Sequence, residues 1–179
     1  MKEVLLIVDM SNDFVADDGP LTAGKPAQEI VPYIVQVADQ FLEKGQPVVV
    51  SMDAHQPNDP HFELWPEHNV VDTKGQELYG ELYEWYQKNK DNPLVRYLPK
   101  ANYNAFFETN LAKDLRHMGI ETVHVTGVCT DICDFLTIAG ADAEGFKTVI
   151  HRKGAATFTD LGDPMIEHMV RCFQTKVVE

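Results

Sequence analysis

The sequence has few basic residues and no long apolar run. Its 15 Lys and Arg stand against 28 Asp and Glu, which leaves a formal net charge of −13 at pH 7 in 179 residues. Such a surface repels phosphate backbones and anionic lipids, so we expect neither nucleic acid nor a membrane as a partner. Apolar runs such as residues 4–8 are too short for a membrane span or a signal peptide. These absences favour a cytoplasmic protein.

Cysteine is scarce, and repeats, linkers and low-complexity segments are missing. The three cysteines, Cys129, Cys133 and Cys172, are odd in number. A chain of this length needs no disulfide to fold, so we expect free thiols in a reducing compartment. Hydrophobic residues make up 44% of the chain, as in ordinary folded enzymes. The length predicts a single domain over residues 1–179.

Short β-branched runs alternate with stretches of helical periodicity along the chain. This alternation is typical of an α/β fold in which helices cover both faces of a mostly parallel sheet. It predicts a three-layer sandwich whose six strands are short and buried. The predicted strands are Val4–Val8, Pro47–Met52, Val95–Leu98, Thr122–Thr126, Thr148–His151 and Phe173–Val178.

Several segments carry apolar residues at spacings of three and four, as amphipathic helices do. One predicted helix runs from Pro26 through Leu42 and ends at Gly45, where a glycine can adopt the left-handed conformation. Further helices are predicted around residues 78–86, 111–118, 134–144 and 163–170. The segment from Ala54 to Lys74 is irregular, and a loop of that length in a folded domain is typical of a functional site.

Reactive side chains follow three of the predicted strands. Asp9 closes the first strand, Lys100 follows the third, and Cys133 opens the helix after the fourth. Ligands of an open parallel sheet bind beyond the carboxyl ends of its strands, where these residues would meet. A lysine and a helix N-terminus favour the thiolate, and a carboxylate accepts its proton. The backbone amides of Cys129 and Cys133 could then stabilise the oxygen of an attacked carbonyl.

The end of the second strand offers metal ligands. Asp53 and His55 lie two positions apart and therefore on one side of a strand. The following loop adds His61, Glu63 and His68. A mixed set of carboxylates and imidazoles suits zinc, manganese or iron(II) better than calcium or magnesium. The sequence therefore predicts one divalent metal ion, with zinc as the first choice.

These motifs, in this order, resemble the isochorismatase-like cysteine hydrolases, and within them the bacterial nicotinamidases, also called pyrazinamidases. The resemblance extends over nearly the whole chain. The matching segments are Asp9 with residues 12–14, residues 53–55, residues 64–69, residues 100–106 and residues 127–133.

The resemblance implies the isochorismatase-like hydrolase fold and a metal-dependent amidohydrolase that converts nicotinamide to nicotinate and ammonia, a reaction of NAD salvage. It implies a catalytic triad of Asp9, Lys100 and Cys133 and an acyl thioester on the cysteine. It also implies an oxyanion hole at Cys129 and Cys133, beside a cis peptide between Val128 and Cys129.

The resemblance further implies metal ligands at Asp53, His55 and His68, and it offers two residues for the remaining position. Nicotinamidases with a histidine six residues after the first one match His61. A sister group with a glutamate matches Glu63. We expect Glu63 to be the ligand, because the surrounding residues are similar to those of the glutamate group.

Aromatic residues in the matching segments are expected to bind a flat substrate ring, namely Phe14, Trp65 and Tyr103. The chain departs from the family pattern at Asp134, which follows the nucleophile where an apolar residue is common. This residue is expected to add negative charge near the thiolate.

Two other functions remain open at this point. A hydrolase of the same fold that acts on another small amide, or on an N-carbamoyl compound, would keep the triad and change the pocket. A noncatalytic thiol or metal-binding protein would use Cys129 and Cys133 as a pair. The sequence also leaves open whether the chain forms a homo-oligomer.

Overall fold

The computed structural model describes residues 2–179 and has an α/β fold. The strands are β1 (Glu3–Val8), β2 (Val48–Asp53), β3 (Val95–Lys100), β4 (Thr122–Val128), β5 (Lys147–Ala156) and β6 (Lys176–Val178). The helices are α1 (Asn12–Val15), α2 (Lys25–Glu29), α3 (Val31–Glu43), α4 (Glu81–Asn89), α5 (Leu111–His117), α6 (Phe135–Ala143) and α7 (Gly162–Phe173). None of the helices between residues 2 and 179 combines the length and hydrophobicity of a membrane-spanning segment.

The six strands form one sheet in the order β3-β2-β1-β4-β5-β6, and every neighbouring pair is parallel. Both faces of β1 are buried. Leu5 and Ile7 pack in a core with α3 and α4, whereas Leu6 and Val8 pack in a core with α5, α6 and α7. Successive side chains of a strand point to opposite faces, so this apolar run fills both cores. The predicted three-layer α/β fold is confirmed, and the sheet is entirely parallel.

Pro32 explains why the predicted helix from Pro26 to Gly45 is two helices. The first ends at Glu29 and the second begins at Val31. A proline has no N–H for the carbonyl four residues earlier, and therefore fits only in the first turn of a helix. The prediction of one continuous helix was wrong because its apolar spacing continues across the break. Gly45 is left-handed at φ 67°, as predicted.

The ends of several strands differ from the prediction, and β5 continues to Ala156 instead of ending at His151. β3 continues to Lys100, which makes the lysine a strand residue with a fixed register. The predicted sixth strand is too long, because α7 continues through Phe173 and the left-handed Gln174 ends it at φ 56°.

The segment between β2 and α4 is ordered by short local structures. It contains the 3₁₀ helices Pro60–Glu63 and Lys74–Gln76. His55 and Val70 form a parallel bridge. The predicted irregular loop therefore leaves the end of β2 and returns to it at the bridge between His55 and Val70.

Candidate active site and metal centre

The carboxyl ends of three adjacent strands bring Asp9, Asp53 and Lys100 together. Asp53 and Lys100 are paired directly across β2 and β3. Asp9 follows β1 and donates its backbone N–H to the Ser51 carbonyl of β2 at 2.9 Å. Its backbone is left-handed at φ 54°, which aspartate tolerates better than most residues do.

Lys100 is buried between two carboxylates. Its Nζ donates a hydrogen bond of 2.7 Å to Asp9 Oδ2 and another to Asp53 Oδ1. The backbone N–H of Asp53 donates to Asp9 Oδ1 at 2.9 Å, so both Asp9 oxygens accept a hydrogen bond. Burial favours the neutral amine, but the charges of Asp53 and Asp9 outweigh it and raise the pKa of Lys100. The lysine is therefore a cation that fixes Asp9 in place.

The two carboxylates differ in their affinity for a proton. Burial and the charge of Asp53 raise the pKa of Asp9 to about 6, although Lys100 lowers it. Burial also raises the pKa of Asp53, but the charge of Lys100 and the neighbouring His55 imidazole outweigh it and lower the value to about 2. Asp9 is thus the carboxylate that can exchange a proton near neutral pH.

Cys133 lies in a π-helical turn between β4 and α6. The turn covers Thr130–Asp134, and the backbone N–H of Asp134 donates to the Cys129 carbonyl at 3.1 Å. The peptide between Val128 and Cys129 is cis, as the resemblance implies. The thiol of Cys133 lies close enough to the Asp9 carboxylate for the two groups to shift each other's pKa. The structure therefore assembles the three residues of the predicted triad.

Gly127 lets β4 approach β1 just before this turn. Its φ is 131°, and an added Cβ would lie 2.0 Å from the Val8 carbonyl oxygen. Real side chains do not come so close to backbone atoms, so the position requires glycine. This tight contact sets the distance between β1, which Asp9 follows, and β4, which leads to Cys133.

The resting state of Cys133 differs from the sequence expectation of a favoured thiolate. Burial raises the pKa of Cys133 well above its ordinary value, the charge of Asp9 raises it further, and Lys100 only partly lowers it. The lysine is less effective than expected because its one positive charge already faces the two negative charges of Asp9 and Asp53. The cysteine is therefore a thiol beside Asp9.

Three histidines converge beside Asp53. Ligand atoms of His55, His61 and His68 all lie within 4.8 Å of one another. Asp53 Oδ2 is 3.7 Å from His55 Nε2 and 3.8 Å from His68 Nε2. Three imidazoles and one carboxylate make a set that suits zinc and similar divalent ions.

Hydrogen bonds orient the imidazoles toward a common centre. Asp59 accepts from His55 Nδ1 at 3.1 Å and from the His61 backbone N–H at 2.8 Å. The Pro66 carbonyl accepts from His68 Nδ1 at 2.6 Å. These contacts leave the Nε2 lone pairs of His55 and His68 free for a cation, which is the usual arrangement around metal-bound histidines.

The electrostatics of the histidines follow from these neighbours. Burial lowers the pKa of His55, but Asp53 and Asp59 outweigh it and raise the value. Burial lowers the pKa of His61 and of His68, and the other histidines contribute to this lowering. Neutral imidazoles are the form that binds metals.

The structure favours His61 over the expected Glu63 as the loop ligand. Glu63 is exposed, whereas the His61 ring stacks on His55 with 4.8 Å between centroids and 6° between planes. Both residues lie in the 3₁₀ helix Pro60–Glu63, where positions two apart point to different sides because one turn takes three residues. Among the described residues, His61 is the loop residue that joins His55 and His68.

A cavity of about 450 Å³, counting its open mouth, leads to Cys133. The predicted aromatic residues Phe14, Trp65 and Tyr103 all line it. Trp65 Nε1 donates to the Tyr103 hydroxyl at 2.9 Å, which fixes these two side chains relative to each other. The result is an aromatic slot beside the thiol.

The cavity is also lined by Leu21, Ile132 and Phe158, which no sequence motif predicts as site residues. Leu21 and Phe158 lie in short connecting segments outside the matching motifs. Ile132 lies within residues 127–133, where an apolar side chain resembles ordinary core packing. The sequence carries no chemical signal for such residues.

The motif residues after Asp9 hold the metal-site loop in place. Asp13 Oδ2 accepts from the Asn69 backbone N–H at 2.7 Å, and Ser11 Oγ donates to Asn69 Oδ1 at 2.8 Å. Asn12 Nδ2 donates to the Lys74 carbonyl at 2.7 Å. These contacts tie the segment around His68 to the end of β1.

Comparison with known proteins identifies the family. A model of the isochorismatase domain matches residues 3–177. The chain belongs to the isochorismatase family. A Bacillus subtilis (strain 168) protein described as an uncharacterized isochorismatase family protein, PncA, is 39% identical over 183 residues, and the match covers 100% of both chains.

Solved structures of this hydrolase family have the same fold. The crystal structure of nicotinamidase PncA from Bacillus subtilis matches with a TM-score of 0.97 and 39% identity over 100% of both chains. Pyrazinamidase of Pyrococcus horikoshii in complex with zinc matches with a TM-score of 0.88 and 28% identity, over 100% of this chain and 99% of the other. These similarities confirm the resemblance to the nicotinamidases.

This isochorismatase-family chain carries a buried acid beside Cys133. Asp134 is completely buried, and neither carboxylate oxygen has a hydrogen-bond partner within residues 2–179. Burial raises the pKa of Asp134 well above its ordinary value, and the charges of Asp9 and Asp131 add to the effect. The environment of Asp134 therefore favours its neutral form and opposes the expected negative charge next to Cys133.

Replacing Asp134 by Asn should stabilise the protein increasingly as pH rises. Below the ordinary aspartate pKa of 3.8, the side chain is neutral in both the folded and the unfolded chain. Above this pH, the Asp134 carboxyl ionises in the unfolded chain but stays neutral in the folded protein until the pH reaches its raised folded pKa. The free energy of unfolding of the wild type should therefore fall relative to that of Asp134→Asn. The expected slope is up to about 1.4 kcal/mol per pH unit between the unfolded and the folded pKa of Asp134.

Urea denaturation over a pH series measures this difference. Asp142→Asn, at an exposed position of α6, is the matched control and should give no such slope. A difference between wild type and Asp134→Asn that stays constant with pH would show that Asp134 is ionised in the folded protein.

His61→Ala should weaken zinc binding more than Glu63→Ala does, because the imidazole and not the exposed carboxylate joins the cluster. We expect about a tenfold or larger loss of affinity for the histidine variant and almost none for the glutamate variant. Competition with a chromogenic chelator measures both. The opposite order would restore Glu63 as the ligand.

Proposed function

We propose that this protein hydrolyses nicotinamide to nicotinate and ammonia through an acyl thioester on Cys133. The observation that carries the proposal is that Cys133, His61 and His68 line one cavity with aromatic walls. A flat heteroaromatic ring suits such a slot, and its carboxamide would meet the thiol at the end. The nicotinamidase relatives support the same function. We also take residues 1–179 to be one hydrolase domain.

Asp9 acts as general base in the first half of the reaction. It takes the thiol proton as Cys133 Sγ attacks the carboxamide carbon. The backbone N–H groups of Cys129 and Cys133 would donate to the oxygen that becomes negative. Asp9 then returns the proton to the leaving nitrogen, the C–N bond breaks, and ammonia departs from the thioester. A pKa of about 6 suits Asp9 to both proton transfers.

The same carboxylate serves the second half. Asp9 takes a proton from a water molecule whose oxygen attacks the thioester carbon. The C–S bond then breaks, the sulfur of Cys133 regains the proton from Asp9, and the pyridine carboxylic acid leaves and ionises in solution. Lys100 keeps Asp9 oriented in both halves through its hydrogen bond of 2.7 Å.

Asp53, His55, His61 and His68 would hold one divalent cation, with zinc as the first candidate. The fit is supported by the buried Nε2 of His55, which has no hydrogen-bond partner in the part of the chain that the structure describes. When bound, the cation supplies a Lewis-acidic position that orients the ring nitrogen of the substrate, directly or through water. The zinc complex of the Pyrococcus horikoshii pyrazinamidase supports this assignment.

Ammonia release from nicotinamide by the zinc-loaded protein tests the proposal. Cys133→Ala should lower the rate at least about a thousandfold, because no other group forms the thioester. Cys172→Ala is the control and should keep full activity, since Cys172 is exposed on α7. Substantial activity in Cys133→Ala would exclude the covalent route. Wild-type preference for an N-carbamoyl compound over nicotinamide would assign the protein to another branch of the family.

Removing the metal by chelation should suppress hydrolysis while Cys133 remains reactive. The thiol is held by Asp9 and Lys100, which chelation leaves in place, whereas the substrate ring loses its anchor. We expect kcat/KM to fall at least about tenfold and alkylation of Cys133 by iodoacetamide to change by less than about threefold. Added zinc should restore hydrolysis. Full activity in protein that metal analysis shows to be metal-free would exclude the metal from the reaction.

A further inference from the structure

Phe158 is a large apolar side chain at the mouth of the active-site cavity. It is 56% exposed, yet it lines the cavity together with Phe14, Trp65 and Cys133. An apolar ring that is half in water gains free energy when another apolar surface covers it. The reaction steps proposed above do not use Phe158.

The segment that carries Phe158 is tied to the nucleophile turn. Thr157 Oγ1 donates to Asp131 Oδ1 at 2.6 Å, and Thr159 Oγ1 donates to Asp131 Oδ2 at 2.7 Å. Asp131 belongs to the π-helical turn that contains Cys133. Both neighbours of Phe158 are thus bound to one carboxylate, and we call this contact the Asp131 clamp.

Further hydrogen bonds stiffen the clamped segment. Thr157 Oγ1 accepts from the Thr159 backbone N–H at 3.3 Å, and Thr159 Oγ1 accepts from the Leu161 backbone N–H at 3.1 Å. The side chain of Thr157 and the backbone of Phe158 also lie beside the buried thiol of Cys129. The backbone that carries the Phe158 ring is therefore held against the turn that contains Cys133.

We propose that Phe158 is a specificity-determining residue, which the Asp131 clamp holds so that its ring narrows the cavity mouth and covers the ring of the bound substrate. A small flat ring fits beneath the Phe158 ring, whereas a bulky substituent on the substrate ring clashes with it. The identity of the covered ring rests on the proposed function, whereas the narrowing of the mouth rests on the cavity and the clamp alone.

Steady-state kinetics test the contact with substrate. Phe158→Ala should raise KM for nicotinamide about tenfold with kcat nearly unchanged, because the ring contact is lost and the triad is not. It should also raise kcat/KM for ring-methylated nicotinamides relative to nicotinamide. Thr159→Val removes one hydrogen bond of the clamp. It should also raise KM for nicotinamide and the relative kcat/KM for ring-methylated nicotinamides, but less than Phe158→Ala does. Leu161→Ala is the matched control, because Leu161 is 48% exposed on the same segment and lies outside the described lining of the cavity.

Alkylation of Cys133 tests the narrowing without any substrate. In a Cys172→Ala background, the rate with a bulky N-aryl iodoacetamide is divided by the rate with iodoacetamide. Phe158→Ala should raise this ratio about tenfold, and Leu161→Ala should leave it unchanged. An unchanged ratio in Phe158→Ala would overturn the inference. A raised ratio in a protein that does not hydrolyse nicotinamide would overturn the proposed function and keep the role of Phe158 at the mouth.

Discussion

The buried ammonium of Lys100 connects the two halves of the site. It donates to Asp9 on the acid–base side and to Asp53 on the side of the histidines. Without it, two carboxylates would remain buried with no adjacent cation, and breaking a buried pair in this way typically costs about 3–5 kcal/mol. Because Lys100 is paired with Asp53 in the register of β2 and β3, the sheet itself sets the geometry of this contact.

The sharing of one cation between two carboxylates also decides the charge states nearby. A further thiolate or carboxylate would add negative charge to a buried region that already has an excess of it. Cys133 therefore rests as a thiol, and the neutral form of Asp134 is favoured. Attack by the sulfur and loss of its proton to Asp9 are consequently expected to occur together, since no ionised thiol waits in advance.

Sequence patterns predict those parts of the protein that repeat a simple rule. Apolar runs locate the strands, and the rule that parallel strands end at one edge places Asp9, Asp53 and Lys100 together. Patterns fail where a local backbone detail decides the outcome. A single missing N–H at Pro32 divides a helix, and one 3₁₀ turn directs His61 inward and Glu63 outward. Charge states are harder still, because they depend on all the buried charges at once.

The close contact at Gly127 restricts how the site can change. Neither β1 nor β4 can move there without forcing backbone atoms together or separating Asp9 from Cys133. A new substrate range, whether natural or engineered, therefore cannot come from reshaping the floor of the cavity. It has to come from the parts of the cavity wall that lie outside the sheet. Trp65, Tyr103 and Phe158 belong to such segments. The sheet thus holds Asp9, Lys100 and Cys133 in fixed positions, whereas the loops around the cavity can change in sequence without moving them.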